Sequence, residues 1–224
     1  MLKFIFNFFN IKETLFYYEY RYLKIKKKFK IFDDYDLNEN SLILDFGSNV
    51  GDVTKYLYQK FKCNIIGYEP NEHAFNLQKK RFKNYKKIKI FNACVDCNNG
   101  FKKIFFHKNS KLLGDIEYSH ASSLDKNKEN ISKNNFKLVK SFSIKKILKK
   151  FKKIDLIKID IEGNEYKILP TLIKHKSKIK KVLCELHGRP NNKQKDIKYI
   201  KKYQNLINKL KKEKLLNTWF LEWH

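Results

Sequence analysis

The stretch Leu42-Ile-Leu-Asp-Phe-Gly-Ser-Asn-Val-Gly-Asp-Val-Thr54 decides the fold. A short apolar run, Leu42 to Leu44, reads as a buried strand ending in Asp45-Phe46-Gly47. Gly47 and Gly51 then open a helix whose first turn carries Asp52 and Thr54. Strand, glycine turn and helix N-terminus, in that order, is how α/β proteins hold nucleotide-like ligands. Only seven glycines occur in 224 residues, and two stand here, where a tight turn and close backbone approach call for them.

The turn also excludes two ligand classes. A dinucleotide fingerprint needs a glycine where Asn49 stands, and a P-loop needs Lys and Ser or Thr after Gly51, where Asp52 follows instead. An acid at a helix N-terminus is the wrong charge for gripping phosphate. A cofactor without phosphate fits better, with a cationic head to face Asp45 and a ribose that needs a second acid. S-adenosylmethionine has both properties. The second acid is Glu69, at the carboxyl end of the next strand, Cys63-Asn-Ile-Ile-Gly-Tyr-Glu69, 18 residues after Gly51. A carboxylate there accepts hydrogen bonds from ribose hydroxyls. Pro70 stops that strand, and Asn71 is placed to cap the following helix. Asn92, ending the third strand, is placed to reach the adenine edge, with Asp96 or Cys97 as alternatives.

With these residues in view, the chain resembles the FkbM-type methyltransferases of the class I S-adenosylmethionine-dependent fold. The matching pieces are Leu44 to Gly51, Gly67-Tyr-Glu-Pro70, Asn92-Ala93 and Ile154-Asp-Leu-Ile-Lys-Ile-Asp-Ile-Glu-Gly-Asn-Glu165. The most distinctive is Lys158-Ile-Asp-Ile-Glu-Gly163 followed by Glu165. The resemblance runs from about residue 40 to the C-terminus. It implies O-methylation of a hydroxyl on a sugar, a glycolipid or another small molecule. The fold it implies is a Rossmann-like three-layer αβα sandwich, with a mostly parallel central sheet and an antiparallel C-terminal strand.

Alternating strands and helices independently point to a parallel sheet covered on both faces. Strands are expected at 41–46, 63–69, 87–95, 154–160, 180–187 and 216–223, with an additional one at 100–107. Helices are expected at 50–61, 71–84, 143–151, 163–175 and 193–214. Residues 113–135 read as a long polar loop contributing to the acceptor pocket. The division that follows is an N-terminal helical and aromatic extension, 1–40, and one methyltransferase domain, 41–224.

Ligands in such sheets bind at the carboxyl ends of the strands. There Gly47, Asn49, Gly51, Glu69, Asp45 and Asn92 form the cofactor half. Asp160 and Glu162 share a face if the strand continues, and crowded acids raise one another's pKa toward that of a useful base. Glu165 has the plainer reading of an acid complementing a helix dipole. Of six histidines, only His187 ends a core strand, and it is the natural base for a hydroxyl proton. Asp160, Glu162 and His187 are therefore the expected catalytic group.

The net charge of +27 ordinarily points to nucleic acid or an anionic membrane. Here the basic residues are almost all lysine, with arginine only at Arg21, Arg81 and Arg189, and they are spread over nearly every segment. Scattered lysine is a poorer reader of phosphate and bases than arginine. An RNA-modifying methyltransferase using this basic surface is the alternative function. Prolines 70, 170 and 190 never occur in tandem, which removes the amino-directed nucleic-acid methyltransferases with their Pro-Pro motif. Four cysteines, 63, 94, 97 and 184, make no disulfide framework; Cys94 and Cys97 lack a second pair for zinc, so no metal is expected, and the cytoplasm is the default compartment. The aromatic and basic N-terminus, Met1 to about Lys30, is too short and interrupted to span a bilayer. It reads either as a helix packing its aromatic face on the domain or as a peripheral membrane contact. The expected partner is a small-molecule or lipid-linked carbohydrate acceptor.

Overall fold

The computed structural model describes residues 15–110, 118–128 and 130–187, together with 204–205, 208, 211–212 and the backbone of 216–219. Six strands form one sheet in the order β3-β2-β1-β7-β8-β9. They are β1 (Leu42–Phe46), β2 (Asn64–Tyr68), β3 (Ile88–Phe91), β7 (Ile154–Ile159), β8 (Ile179–Glu185) and β9 (Leu216–Trp219). Every pairing in it is parallel. Parallel strands are covered on both faces and so read as apolar runs; all six residues of β7 are buried. Helices α2 (Asp52–Phe61), α3 (Glu72–Arg81), α4 (Ile144–Lys149) and α5 (Glu165–Lys174) connect the strands. Asn71 caps α3 as expected, its side chain accepting from the Ala74 N–H at 3.1 Å.

Three expectations need correction. The C-terminal strand β9 runs parallel to β8, not antiparallel. Residues 186–215 separate the two strands, far more chain than the dozen or so residues a parallel crossover requires. The strand expected at 87–95 is broken at Asn92-Ala93: β3 stays in the main sheet, while β4 (Cys94–Asp96) joins a second one. That second sheet, β4-β6-β5, contains β5 (Gly100–His107) and the long β6 (Ile131–Ser143). Sequence reasoning placed the start of β6 in a loop and left the rest unassigned. Its Lys- and Asn-rich composition has weak strand propensity, and antiparallel pairing with β5 supplies what local preference does not. The expected 193–214 helix and the first fourteen residues lie largely outside the described residues.

The N-terminal helix α1 (Leu15–Ile25) and the 3₁₀ segment Lys26–Phe32 pack on the sheet. Tyr22, Phe29 and Phe32 share one core cluster with Ile43, Ile65, Leu156 and Leu183. Phe29 and Phe32 are fully buried, each stabilising the fold by about 1.5–3 kcal/mol. Among the described residues no helix is long and apolar enough to cross a membrane.

Candidate functional site

Strand order reverses between β1 and β7, and a cavity of about 580 Å³ opens at the carboxyl ends of the strands there. One end is made of backbone. Gly47 has φ +76°, and a Cβ on it would lie 1.7 Å from the Asp160 carbonyl oxygen. Only glycine fits where β1 turns past β7. Gly51, at φ +82°, precedes α2, and a Cβ there would press to 2.6 Å of the Phe82 ring. Between them Asn49 holds φ +49°, a region that asparagine tolerates better than most residues. Its N–H donates to Glu69 Oε2 at 2.7 Å, and its amide donates to Ser119 Oγ at 3.0 Å.

Glu69 is 4% exposed. Its other oxygen accepts the Asn71 N–H at 2.7 Å. Burial outweighs these two bonds and pushes its pKa up to about 7. A carboxylate with about four acceptor positions can still receive hydroxyl donors. This end could hold a nucleoside, with Glu69 offering acceptors to ribose hydroxyls and the glycine turn open to backbone contact.

Gly47, Asn49, Glu69, Asp160, Glu162 and His187 line the cavity, whereas Asp45, Gly51 and Asn92 lie behind it. Asp45 is fully buried beneath the turn, accepting from Thr54 Oγ1 at 2.8 Å and facing Lys158 Nζ at 3.3 Å. The cation that meets it is thus Lys158, a residue sequence reasoning passed over. Lys158 also donates to the Gly47 carbonyl at 2.7 Å and lies 3.5 Å from Asp160 Oδ2. Burial pulls its pKa down, but Asp45 and Asp160 push harder, leaving it raised. The signal was available: a lysine inside a buried apolar strand must find carboxylates. Asn92 ties the end of β3 to the β2 loop, donating to the carbonyls of Glu69 at 2.9 Å and Pro70 at 3.2 Å.

Asp52, which argued against phosphate, has a structural explanation. Arg81 Nη1 meets it at 2.7 Å, and Arg21 on α1 also bonds it. Two of the three arginines in a lysine-rich chain converge on this buried acid, where a rigid fork of donors is worth more than a point charge. They fasten α1 to the helix that follows the glycine turn.

The other end of the cavity is made of charges. Asp160 and Glu162 follow β7, while Glu185 and His187 close β8. His187 Nε2 lies 3.9 Å from Asp160, 3.5 Å from Glu162 and 3.6 Å from Glu185. Its Nδ1 is 2.9 Å from Glu165 Oε1. Burial lowers the imidazole pKa, but the Glu165 hydrogen bond and the surrounding carboxylates overcome that and raise it above 6.5. Lys128 bonds Glu162, whose backbone sits at φ +56° and whose carbonyl accepts Ser123 Oγ at 2.6 Å. Glu165 does more than complement a helix dipole: fully buried, it accepts the N–H of Ile161 at 3.2 Å and of Gly163 at 3.1 Å. It shapes the turn that carries Asp160 and Glu162. Asp160, Glu185 and His187 also offer ligand atoms within 4.8 Å of one another, a mixed nitrogen and oxygen set that could hold a divalent ion. The carboxylates around His187 favour its protonated form in that group.

A family model described as Methyltransferase FkbM domain matches residues 45–213. The ribosomal RNA small subunit methyltransferase A of Hydrogenobaculum sp. (strain Y04AAS1) is 29% identical over 104 residues, 46% of this chain and 38% of that protein. A structure of a putative S-adenosyl-L-methionine-dependent methyltransferase from Methanococcus maripaludis overlaps 91% of this chain and 81% of its own, at 12% identity and TM-score 0.37. The P. horikoshii TYW2 structure in complex with MeSAdo overlaps 27% of this chain and 29% of its own, at 12% identity and TM-score 0.24. The chain thus spans well under half the length of the ribosomal RNA methyltransferase and of TYW2. Because the FkbM match covers the glycine turn, Glu69, the Asp160–Glu165 turn and His187, the chain belongs to the FkbM methyltransferase family, whose methyl donor is S-adenosylmethionine.

Proposed function

We propose that this protein methylates a hydroxyl group on a carbohydrate-like acceptor, free or lipid-linked. The observation that carries this reading is the chemistry of the acceptor end. Asp160, Glu162 and Glu185 converge there, and carboxylates suit an acceptor rich in hydroxyl donors. The stacked rings of His107 and Tyr118, 4.7 Å apart and 3° from parallel, give the cavity a flat wall for a sugar face.

When bound, S-adenosylmethionine supplies an electrophilic methyl group on a sulfonium that leaves without acid help. The remaining work falls to side chains. Glu69 and the backbone of Gly47 and Asn49 hold the nucleoside end. Asp160 accepts the hydroxyl proton as the oxygen attacks. His187 does not take that proton in this reading, because its surroundings favour the imidazolium. It acts as the positive charge that lets three acids share one site. The cavity aligns the reactants and excludes water, which is most of what methyl transfer requires.

RNA methylation draws support from the +27 charge and from the relative named for ribosomal RNA. The carboxylates at the acceptor end repel phosphates and count against it. Free, unpaired Cys63, Cys94, Cys97 and Cys184 suit a reducing cytoplasm, and we place the enzyme there. In this reading an N-terminal extension, up to about residue 40, precedes the methyltransferase domain. Transfer of radiolabelled methyl from S-adenosylmethionine to monosaccharides, lipid-linked glycans and RNA tests the reading. Label on a glycan that falls about 100-fold in Asp160→Asn supports it; label on RNA alone overturns it.

A further inference from the structure

The second sheet has two unlike faces. Ile104 and Val139 point inward and are buried, at 1% and 7% exposure. The register pairs Phe101 with Lys140, Lys103 with Leu138 and Phe105 with Phe136, so these six residues share one face, on which Phe105 is buried beside Ser123. There Phe101 is 71% exposed, Leu138 60% and Phe136 36%. Lys103 Nζ stands 4.1 Å over the Phe136 ring, and Lys140 Nζ stands 5.2 Å over Phe142. Phe142 meets Phe91, itself 41% exposed, at 5.9 Å, so the stripe continues onto the edge strand β3. Four of the seven large apolar side chains exposed among the described residues lie on this stripe. A monomer rarely leaves such a patch uncovered without use for it.

We propose that this sheet face docks on an anionic lipid bilayer. The interleaved lysines decide the occupant. A second copy of the chain, meeting the patch about a two-fold axis, would set Lys103 and Lys140 against the same lysines. A neutral surface would leave them unmatched. Anionic headgroups match them, aromatic rings settle at the headgroup level, and lysine stems reach from among the rings to the charge. The +27 net charge supplies long-range attraction toward the same surface. Ile104 and His107 of β5 line the cavity, so the docked sheet is also one wall of it. The proposal rests on the exposed face alone and stands whichever acceptor is methylated.

Co-sedimentation of the full chain with phosphatidylcholine vesicles, with and without phosphatidylserine, is the test. Wild type is expected to pellet with the anionic vesicles. The F101S/L138S variant leaves the charge unchanged and is expected to bind at least about tenfold more weakly. Each of K103Q and K140Q should cost about fivefold on anionic vesicles. Retention of S-adenosylmethionine binding in every variant shows that the fold is intact. The proposal is overturned if wild type stays in the supernatant, or if F101S/L138S binds as wild type does. It is equally overturned if sedimentation velocity finds a wild-type dimer that F101S/L138S converts to a monomer, which would assign the face to a second copy.

Discussion

The donor end of the cavity is shaped by what its backbone can do, and the acceptor end by which charges its strands bring together. At the donor end, Gly47 and Gly51 hold left-handed conformations, Asn49 a third, and one buried carboxylate receives two backbone N–H groups. At the acceptor end, Asp160, Glu162, Glu165 and Glu185 come from different elements and pair with His187, Lys158 and Lys128, four acids against three cations. A change at the first end should therefore act through shape. A change at the second should act through charge and pH.

The largest expected effect is at the point where the two ends touch. Gly47→Ala puts a methyl group into the Asp160 carbonyl at a positive φ. It should cost about 3 kcal/mol or more of stability, measured by denaturant unfolding, and abolish cofactor binding. Lys158→Met comes next. It leaves Asp45 and Asp160 without their shared cation, and loss of one partner from a buried ion pair costs about 3–5 kcal/mol. If Lys158→Met unfolds no more easily than wild type, the two ends are not joined through this lysine.

Glu69→Gln separates shape from charge at the donor end. The side chain remains nearly isosteric, the fold should survive, and S-adenosylmethionine affinity should fall about 30-fold in calorimetry, the loss of a charged acceptor worth about 2 kcal/mol. With a pKa raised to about 7, wild-type Glu69 gains its proton as pH falls through neutrality. Affinity should drop with it, by about tenfold per unit below that value. The same raised pKa means that Glu69 favours the folded state most at low pH and loses that contribution as pH rises through about 7. Binding and stability therefore move in opposite directions with pH, and Glu69→Gln should flatten both.

The smallest expected effect on folding, and the most informative about charge, is His187→Gln. Cofactor affinity should stay within about twofold, while methyl transfer falls about tenfold or more. Because the folded pKa of His187 is raised above 6.5, its ion pairs stabilise the protein fully below that value. The contribution is lost as pH rises through the raised one. The difference in melting temperature between wild type and His187→Gln should therefore shrink toward alkaline pH. A difference that grows instead would make the imidazole neutral and restore it as the base.

The two ends also differed in how far the sequence revealed them. Gly47, Gly51, Glu69 and the Asn71 cap are local signals, each readable from its neighbours along the chain. Lys158 announces a need for carboxylates but not which ones, and the meaning of Glu165 depends on partners contributed by other strands and turns. Glu165 carries its ordinary helix-start meaning until β8 brings His187 against it. Asp45 invited a direct ligand role because nothing near it in sequence announced Lys158. The strand β6 was missed for the same reason: its lysines and asparagines suit a loop locally, and pairing with β5 and β4 makes thirteen residues extended.

The central claim is that Glu69 and the glycine turn form the S-adenosylmethionine site. Calorimetric titration of S-adenosylmethionine into wild type and Glu69→Gln, at one pH above and one below about 7, tests it most directly. Tight wild-type binding at the higher pH, weakening below neutrality and largely lost in the variant at both, is the expected result. Equal affinity in the two proteins at both pH values would contradict the account.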